Sequence, residues 1–447
     1  MVNDPINPIA RNILQFGVKR FLASTPNMMT LMRYEPMRFT AKVPAGKSGK
    51  LVCTHPPIVY LRIAPMNPPS PISKSSITCE LAFSFYTDCG RNLLGNDFIL
   101  WFLIRVVKTV HTIFHSDSRS LSELDVGEVH LVVTSPPYPM IEMWDSIFQL
   151  MNPDIDLTLP SDAFELMHME LDKVWEEIDR VLIDGGIVCI NIGNATRSLN
   201  GSFRMYPSNV RITQKFIELG YSVLPEIIWK KQSTAPNKFM GSGMLPPNAY
   251  VTQEHEYILI FRKGELREDL ENKKQIRRSS AYFWEERNMW FSDLWNLVGT
   301  QQSLEKGGRK RSAAYPFELV YRLIQMFSVK GDIVLDPFVG TGTTSLASIA
   351  SARSSIGVEL DQDIIGLTID RLLSSIPKLQ QTRESRLKNH SIFVSDRISK
   401  GKVVKYHNEH IDSPVVTKQE KELTLEKVVG LELLQDSNPC MLSASYE

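Results

Sequence analysis

Cysteine is scarce: five in 447 residues, at positions 53, 79, 89, 189 and 440, with no C-x-x-C pair. That pattern supports neither a zinc site built on paired thiolates nor a disulfide framework. An excess of charge of either sign is also missing, because 50 Lys and Arg offset 50 Asp and Glu. Any argument for a polyanionic partner must therefore be local. Long hydrophobic runs are absent too. The most apolar stretch, FILWFLIRVV from Phe98 to Val107, contains Arg105 and is too short to span a bilayer. The N-terminus, MVNDPINPIARN, lacks a basic-then-apolar leader design. These absences lead us to expect a cytoplasmic protein with no metal and no membrane partner.

What is present is an alternation of strands and helices. Residues 1–95 are rich in Pro, Ser and Met, with weak periodicity and no assignable chemistry. Beyond them, EVHLVV (Glu128–Val133) predicts a short buried strand. Phe164, Met167, Leu171, Val174, Ile178 and Val181 recur at helical spacing and predict a helix over 162–186, stopped by Gly185 and Gly186. IVCINIG follows as a strand, and EIIWKK and EHEYILIFRKG predict two more, the last two as antiparallel neighbours. Periodicity fades over 265–312, where aromatics crowd in and KGGRKR supplies four basic residues. It returns with a helix at YPFELVYRLIQMF, Pro316 standing at its start. A strand, a glycine loop, a helix and a further strand follow. From about residue 378 the chain turns polar and is expected to be peripheral or partly disordered. Helix after buried strand is the grammar of an α/β sheet.

The glycine loop, DIVLDPFVGTGTTSLA, limits the ligand. No lysine follows the glycines, which excludes a triphosphate P-loop. A dinucleotide fingerprint would use Gly340 and Gly342, but Ser345 replaces its third glycine. Glu359 lies 19 positions after Gly340, at the end of the next strand, where a carboxylate can accept ribose hydroxyls. S-adenosylmethionine has a ribose and adenine but no pyrophosphate. Its cationic groups would favour a carboxylate such as Asp336.

The second device is LVVTSPPYPM, where an apolar strand runs into a hydroxyl, two prolines and an aromatic. In an open α/β sheet, ligands bind at the C-terminal ends of strands. Ser135 Oγ and the carbonyl of Pro136 can each accept a hydrogen bond from a nucleobase amine. That draws the nitrogen toward tetrahedral geometry and frees its lone pair. Pro137 stiffens the bend. Tyr138 offers a flat face for the base, a stacking contribution of about 1–3 kcal/mol. A base within a duplex must be flipped out to reach such a pocket.

TSPPY and DPFVGTGTT resemble the motifs of amino-group DNA methyltransferases. Their order resembles the permuted class, with the catalytic half first. The resemblance covers about residues 113–375 and includes DRVLIDGGIVCINIGN, EIIWKK, TQEHEYILIF, SDLW and YPFELVYRLI. It implies a Rossmann-like S-adenosylmethionine-dependent fold, α/β, with a mixed seven-stranded sheet in circularly permuted motif order. It implies methyl transfer to an exocyclic amine: cytosine N4 for S-P-P-Y members, with adenine N6 as the alternative. Carried over, Ser135, Pro136, Pro137 and Tyr138 are catalytic. Asp336, Phe338, Gly340, Gly342 and Thr343 line the cofactor pocket, and Glu359 takes the ribose. Asp117 resembles the acidic position near the cofactor adenine. Tyr315 and Pro316 match the helix start at the methionine end, with YP where relatives often have HP or KP. A target-recognition segment is expected at 265–312, between a catalytic half at 96–264 and a cofactor half at 313–377, with an extension at 378–447.

Within that segment, Tyr282, Phe283, Trp284, Trp290, Phe291 and Trp295 are expected mostly to form a small core. Lys306, Arg309, Lys310 and Arg311 are expected to contact DNA phosphates. Glu254 and His255 are read as structural or pocket-lining, and no cysteine is expected to be essential. The leading reading is a bacterial modification enzyme that methylates one short duplex sequence and is paired with a restriction endonuclease. A catalytically silent DNA-binding relative, and an enzyme acting on RNA or protein glutamine, stand as alternatives.

Overall fold

The structure, a computed structural model, describes residues 107–231, 240–270, 274–298 and 315–447. The expectations for residues 1–95, and those for Lys306, Arg309, Lys310 and Arg311, lie outside the described residues. No helix among the described residues is long and apolar enough to cross a membrane.

The main sheet is formed by β1 (Val107–His115), β2 (Val129–Thr134), β3 (Leu182–Ile192), β4 (Ser222–Lys231), β5 (His255–Arg262), β6 (Leu294–Leu297), β7 (Ile333–Asp336), β8 (Ser354–Glu359), β9 (Val428–Asp436) and β10 (Cys440–Tyr446). Its order is β6-β4-β5-β3-β2-β7-β8-β1-β10-β9. The strands β3, β2, β7, β8 and β1 are parallel neighbours. β5 runs antiparallel to both β3 and β4. The seven expected strands are therefore present as a mixed Rossmann-like core. β6 extends it at one edge, and β10 and β9 extend it at the other.

Helices cover both faces, because successive side chains of a buried strand point to opposite sides. Val132 of β2 packs in a core with Phe164, Met167, Leu171, Val174 and Ile178 of α2 (Pro160–Val181), and with Ile212 and Phe216 of α3 (Ser208–Glu218). Its neighbours Leu131 and Val133 face the other way, onto Leu319, Val320, Leu323 and Ile324 of α6 (Phe317–Phe327). Each such side chain contributes about 1.5–3 kcal/mol when fully buried. α1 (Asp145–Met151) lies between β2 and α2; α4 (Lys274–Ser279) and α5 (Trp284–Trp290) precede β6. α7 (Thr343–Ala350) follows the glycine loop, and α8 (Gln362–Leu373) and α9 (Ile376–Ser399) follow β8.

Two expectations need correction. The helix expected over 162–186 ends at Val181, and Gly185 and Gly186 lie inside β3. Gly185 has φ +76°, and a Cβ there would sit 2.6 Å from the backbone nitrogen of Arg267. The glycines serve a close chain approach within the strand rather than a helix stop. The polar segment from residue 378 is not peripheral. β10 pairs with β1 along seven registered positions, Val107 to Ile113, and α9 carries side chains onto α5. Arg386 of α9 pairs with Glu286 of α5, its guanidinium 5.6 Å from the centre of the Phe283 ring and 5.4 Å from that of Trp290. His390 stacks on Phe283 at 3.8 Å and bonds Glu285 at 2.6 Å. Two polar residues of α9, Arg386 and His390, are thus buried in pairs, which a composition count reads as solvent exposure.

Of the aromatics expected to form a small core, Phe283, Trp290 and Trp295 are buried, whereas Trp284 is exposed. Tyr282 and Phe291 are half-buried and pack against each other, centroids 5.4 Å apart.

Burial alone would push His390 down, but its bond and attraction to Glu285 outweigh this and hold it above its ordinary value. A histidine raised by a folded-state partner adds stability that is complete below its unfolded pKa, about 6.5. That stability is lost as pH rises through the folded value. Urea unfolding across pH 5.5 to 9 should show this loss. His390→Gln should remove that part of the pH dependence.

Candidate functional site

The parallel strands deliver their C-terminal ends to one rim. Ser135 follows β2, Asp336 ends β7, Glu359 ends β8 and Asp117 lies two residues past β1. Because β5 is antiparallel to β3 and β4, its first residues reach the same rim, as does Lys231 at the end of β4. A cavity of about 440 Å³ opens there. Its wall includes Ser135, Pro136, Pro137, Asp117, Phe338, Gly340, Thr343 and Glu359. Eight of the expected site residues are therefore brought together.

The glycine loop forms the floor. Gly340 has φ +50°, and a Cβ there would meet nothing nearer than the Phe338 carbonyl at 3.9 Å. Gly342, at φ +76°, precedes α7; a Cβ there would lie 2.6 Å from Thr368 Cγ2 of α8. The first glycine leaves room at the cavity and the second lets α8 approach, so the G-x-G spacing has two causes. Glu359 accepts the Gly340 amide at 3.0 Å on one oxygen and the Asp361 amide at 3.0 Å on the other. The lining also holds an ionic group. Arg119 donates to both Asp117 oxygens and to Glu170 at 2.6 Å. Burial would raise the Asp117 carboxyl, but Arg119 outweighs it and holds the carboxyl below its usual range.

Asp336 is placed differently from the expectation. It is 1% exposed, does not border the cavity, and is wrapped by hydroxyls. Thr134 Oγ1 donates to it at 2.7 Å, Tyr315 OH at 2.8 Å and Thr344 Oγ1 at 2.6 Å, and the Phe338 amide adds a fourth bond at 3.1 Å. Burial raises its carboxyl above the ordinary range despite these bonds. It is Tyr315 that lines the cavity, while Pro316 is buried as the N-cap of α6.

Tyr138 lies behind Ser135 rather than on the cavity wall, in a network that sequence reasoning did not find. Its hydroxyl donates to Glu256 Oε2 at 2.9 Å and lies 3.2 Å from Ser135 Oγ. Asn191 Nδ2 donates to Tyr138 OH at 2.8 Å and to Glu256 Oε2 at 2.7 Å. Lys231 binds the other Glu256 oxygen. Burial, then the Glu256 charge, pushes the Tyr138 phenol well above its ordinary range. Gly193 packs on the ring: a Cβ there would lie 3.1 Å from Tyr138 Cε2. A usable signal did exist. Glu256 shares a strand face with Ile258 and Ile260, and a lone carboxylate on a buried apolar face needs a partner. Glu254 and His255 drew attention instead, yet both are more exposed than Glu256. Cys189 is fully buried on β3, and burial pushes its thiol up, in keeping with a packing role.

The Asp336 cluster carries a stability expectation. Asp336→Ala strips one acceptor from three buried hydroxyls and should cost roughly 3 kcal/mol, near the upper end of the range for unpaired buried groups. Urea unfolding should read this. A change below about 1 kcal/mol would mean that the hydroxyls find other partners.

Comparison with known proteins gives the family. A DNA methylase family model, covering N6 and N4 enzymes, matches residues 129–370. Type II methyltransferase M.MthZI of Methanothermobacter thermautotrophicus is 50% identical over 327 residues, 71% of this chain and 91% of that protein. Type II methyltransferase M.MjaI of Methanocaldococcus jannaschii is 50% identical over 273 residues, 58% of this chain and 89% of that one. Among solved structures, a DNA modification methylase of Thermus thermophilus, crystallised with S-adenosyl-L-methionine, is 31% identical. It covers 60% of this chain and 95% of its own, with a TM-score of 0.47. With a family model over more than half its length and a half-identical relative over most of it, the chain belongs to the DNA methylase family of N6 and N4 amino-methyltransferases.

Proposed function

We propose that this DNA methylase uses S-adenosylmethionine to methylate the N4 amine of a cytosine flipped out of a short duplex sequence, and that it protects that sequence from a partner restriction endonuclease. One observation carries the reading. Ser135, Pro136 and Pro137 form part of the wall of the same cavity as Gly340 and Glu359. A base amine and a methyl donor can therefore be held in one compartment.

The cavity suits the cofactor. Phe338, Val358 and Ile364 give it an apolar side, Glu359 and Asp361 are carboxylates at its β8 end, and the glycine turn leaves space for close approach. Glu359 would hold the ribose and Phe338 the adenine, while Asp117 and Arg119 border the pocket. When bound, S-adenosylmethionine supplies an activated methyl group. The chain's own work is to prepare the amine. Ser135 Oγ accepts one N–H and the Pro136 carbonyl the other, so the nitrogen lone pair turns toward the methyl donor. Tyr138, fixed by its hydroxyl, braces the turn behind Ser135. A serine rather than an aspartate at position 135 favours cytosine over adenine, by the resemblance to S-P-P-Y members.

Lys306, Arg309, Lys310 and Arg311 are our candidates for phosphate contact. Neutralising all four should weaken binding to every duplex and flatten its salt dependence.

Nucleoside mass analysis of DNA from an expressing host should find N4-methylcytosine. N6-methyladenine alone would move the target to adenine and leave the methylase intact. Ser135→Ala should cut turnover by roughly 10²–10³-fold, as for loss of one transition-state hydrogen bond. Glu359→Ala should weaken cofactor binding by about 1.5–3 kcal/mol in calorimetry. Unchanged affinity in that folded variant would remove Glu359 from the ribose.

A further inference from the structure

Donor and acceptor counting around Tyr138 gives the network a direction. Asn191 Nδ2 and Lys231 Nζ can only donate, so both oxygens of Glu256 are acceptors: Oε1 toward Lys231, Oε2 toward Asn191 and Tyr138. The Tyr138 proton therefore points at Glu256. Its oxygen then accepts, from Asn191 at 2.8 Å and from Ser135 at 3.2 Å. The Ser135 proton is thereby directed away from the cavity. What Ser135 shows to the cavity is lone pairs.

We propose that Glu256 is a positioning residue that fixes Ser135 Oγ as a hydrogen-bond acceptor, so that the site selects a base bearing an amine and rejects its carbonyl-bearing counterpart. This rests on the function proposed above, and it concerns cytosine and adenine equally. Both present N–H donors where uracil and hypoxanthine present a carbonyl oxygen. A serine free to rotate could donate to that oxygen and would discriminate poorly. A serine whose proton is committed to Tyr138 places oxygen against oxygen. The chain of command is carboxylate, phenol, hydroxyl, and each of the first two is held by a second contact. Lys231 holds Glu256, and Asn191 and the flank of Gly193 hold Tyr138. A carboxylate is required because acceptors are demanded on two sides at once. A glutamine in its place has one acceptor oxygen, and with Lys231 on that oxygen its amide would donate to Tyr138 and reverse the chain.

The test uses the full chain and the duplex it methylates, read from the modified genome of an expressing host. Two probe duplexes carry the native target base or its carbonyl counterpart, uracil for cytosine or hypoxanthine for adenine. The ratio of affinities for the two is compared between proteins, so the cost of opening each pair cancels. Wild type should favour the amine base, and Glu256→Gln should lose about tenfold or more of that preference while binding S-adenosylmethionine as before. Turnover of Glu256→Gln should fall about 10²-fold. Tyr138→Phe breaks the same chain one step nearer the serine. It should erase the preference, and adding Glu256→Gln to it should change the preference no further. An unchanged ratio in both single variants, or effects that add independently in the double variant, would overturn the proposal. Should Glu256→Gln fail to fold, judged by cofactor calorimetry and thermal melting, the ratio measured with Tyr138→Phe decides alone. Absence of methyl transfer by the wild type would instead remove the function on which the proposal rests, whereas methyl transfer with an unchanged ratio would overturn the proposal alone.

Discussion

The hydrogen bond from Thr134 to Asp336 is the constraint on which the site depends. Its partners are 202 residues apart. One ends the strand before the S-P-P-Y turn, and the other ends the strand before the glycine loop. Sheet pairing of β2 with β7 brings the strands alongside, but the registered pairs are only Val334 with Leu131 and Leu335 with Val132. Beyond them Val133 and Thr134 pair with β3 and Asp336 pairs with β8, so no ladder sets the spacing between β2 and β7 there. The buried carboxylate takes over at that point. It gathers hydroxyls from Thr134, Tyr315 and Thr344, so the ends of two strands and the starts of two helices share one acceptor. In a medium of low dielectric such bonds are strong and leaving one unmade is costly. Ser135 is one residue from Thr134 and Phe338 two from Asp336. Fixing the pair fixes the distance between the two walls of the cavity.

A second constraint comes from the far end of the chain. The α9 helix has the polar composition of a solvent-exposed arm. Two of its polar residues are nevertheless buried and paired, Arg386 with Glu286 and His390 with Glu285. The strands β10 and β9 complete the sheet beyond β1. Those contacts span long sequence separations, about 100 residues for the α9 pairs. Local periodicity carries no trace of them. A buried ion pair adds little net stability over an apolar pair, but breaking one is costly. α9 therefore serves as a buttress that holds α5 in one orientation.

How far the sequence was legible follows from the range of the interactions. The helix α6, the strand–glycine–helix unit after β7 and the Thr134–Tyr138 turn are written within a few residues each. Their hydrophobic period, glycine spacing and proline positions could be read directly. The antiparallel pairing of β4 and β5 was also legible, from two apolar runs close in the chain. Gly185 and Gly186 misled, because a glycine pair after a helical pattern reads as a stop. The close approach of Arg267 that demands Gly185 comes from another part of the chain. Asp336 was identified from its motif as a site residue, but its role depends on Tyr315 and Thr134, which only the fold brings to it. Glu256 was passed over for the same reason: its value lies in Tyr138, 118 residues away.

The antiparallel course of β5 explains why that pairing exists. In a purely parallel sheet every strand would bring its C-terminal end to the rim, where side chains lead into loops. β5 instead enters the rim at its start. Glu256 is therefore held inside a strand, in register with Trp229 of β4, and its carboxylate lies between the side chains of Asn191 of β3 and Lys231 of β4. Residues on strands are placed more rigidly than residues on loops, and a hydrogen-bond chain needs that rigidity at its fixed end. The Ser135–Tyr138 turn is a loop, stiffened by two prolines but without a ladder of its own. Its precision is borrowed from Glu256 through the Tyr138 hydroxyl and from Asp336 through Thr134. The turn is thus held at both ends by carboxylates on strands to either side of β2, one buried among hydroxyls and the other paired with a lysine.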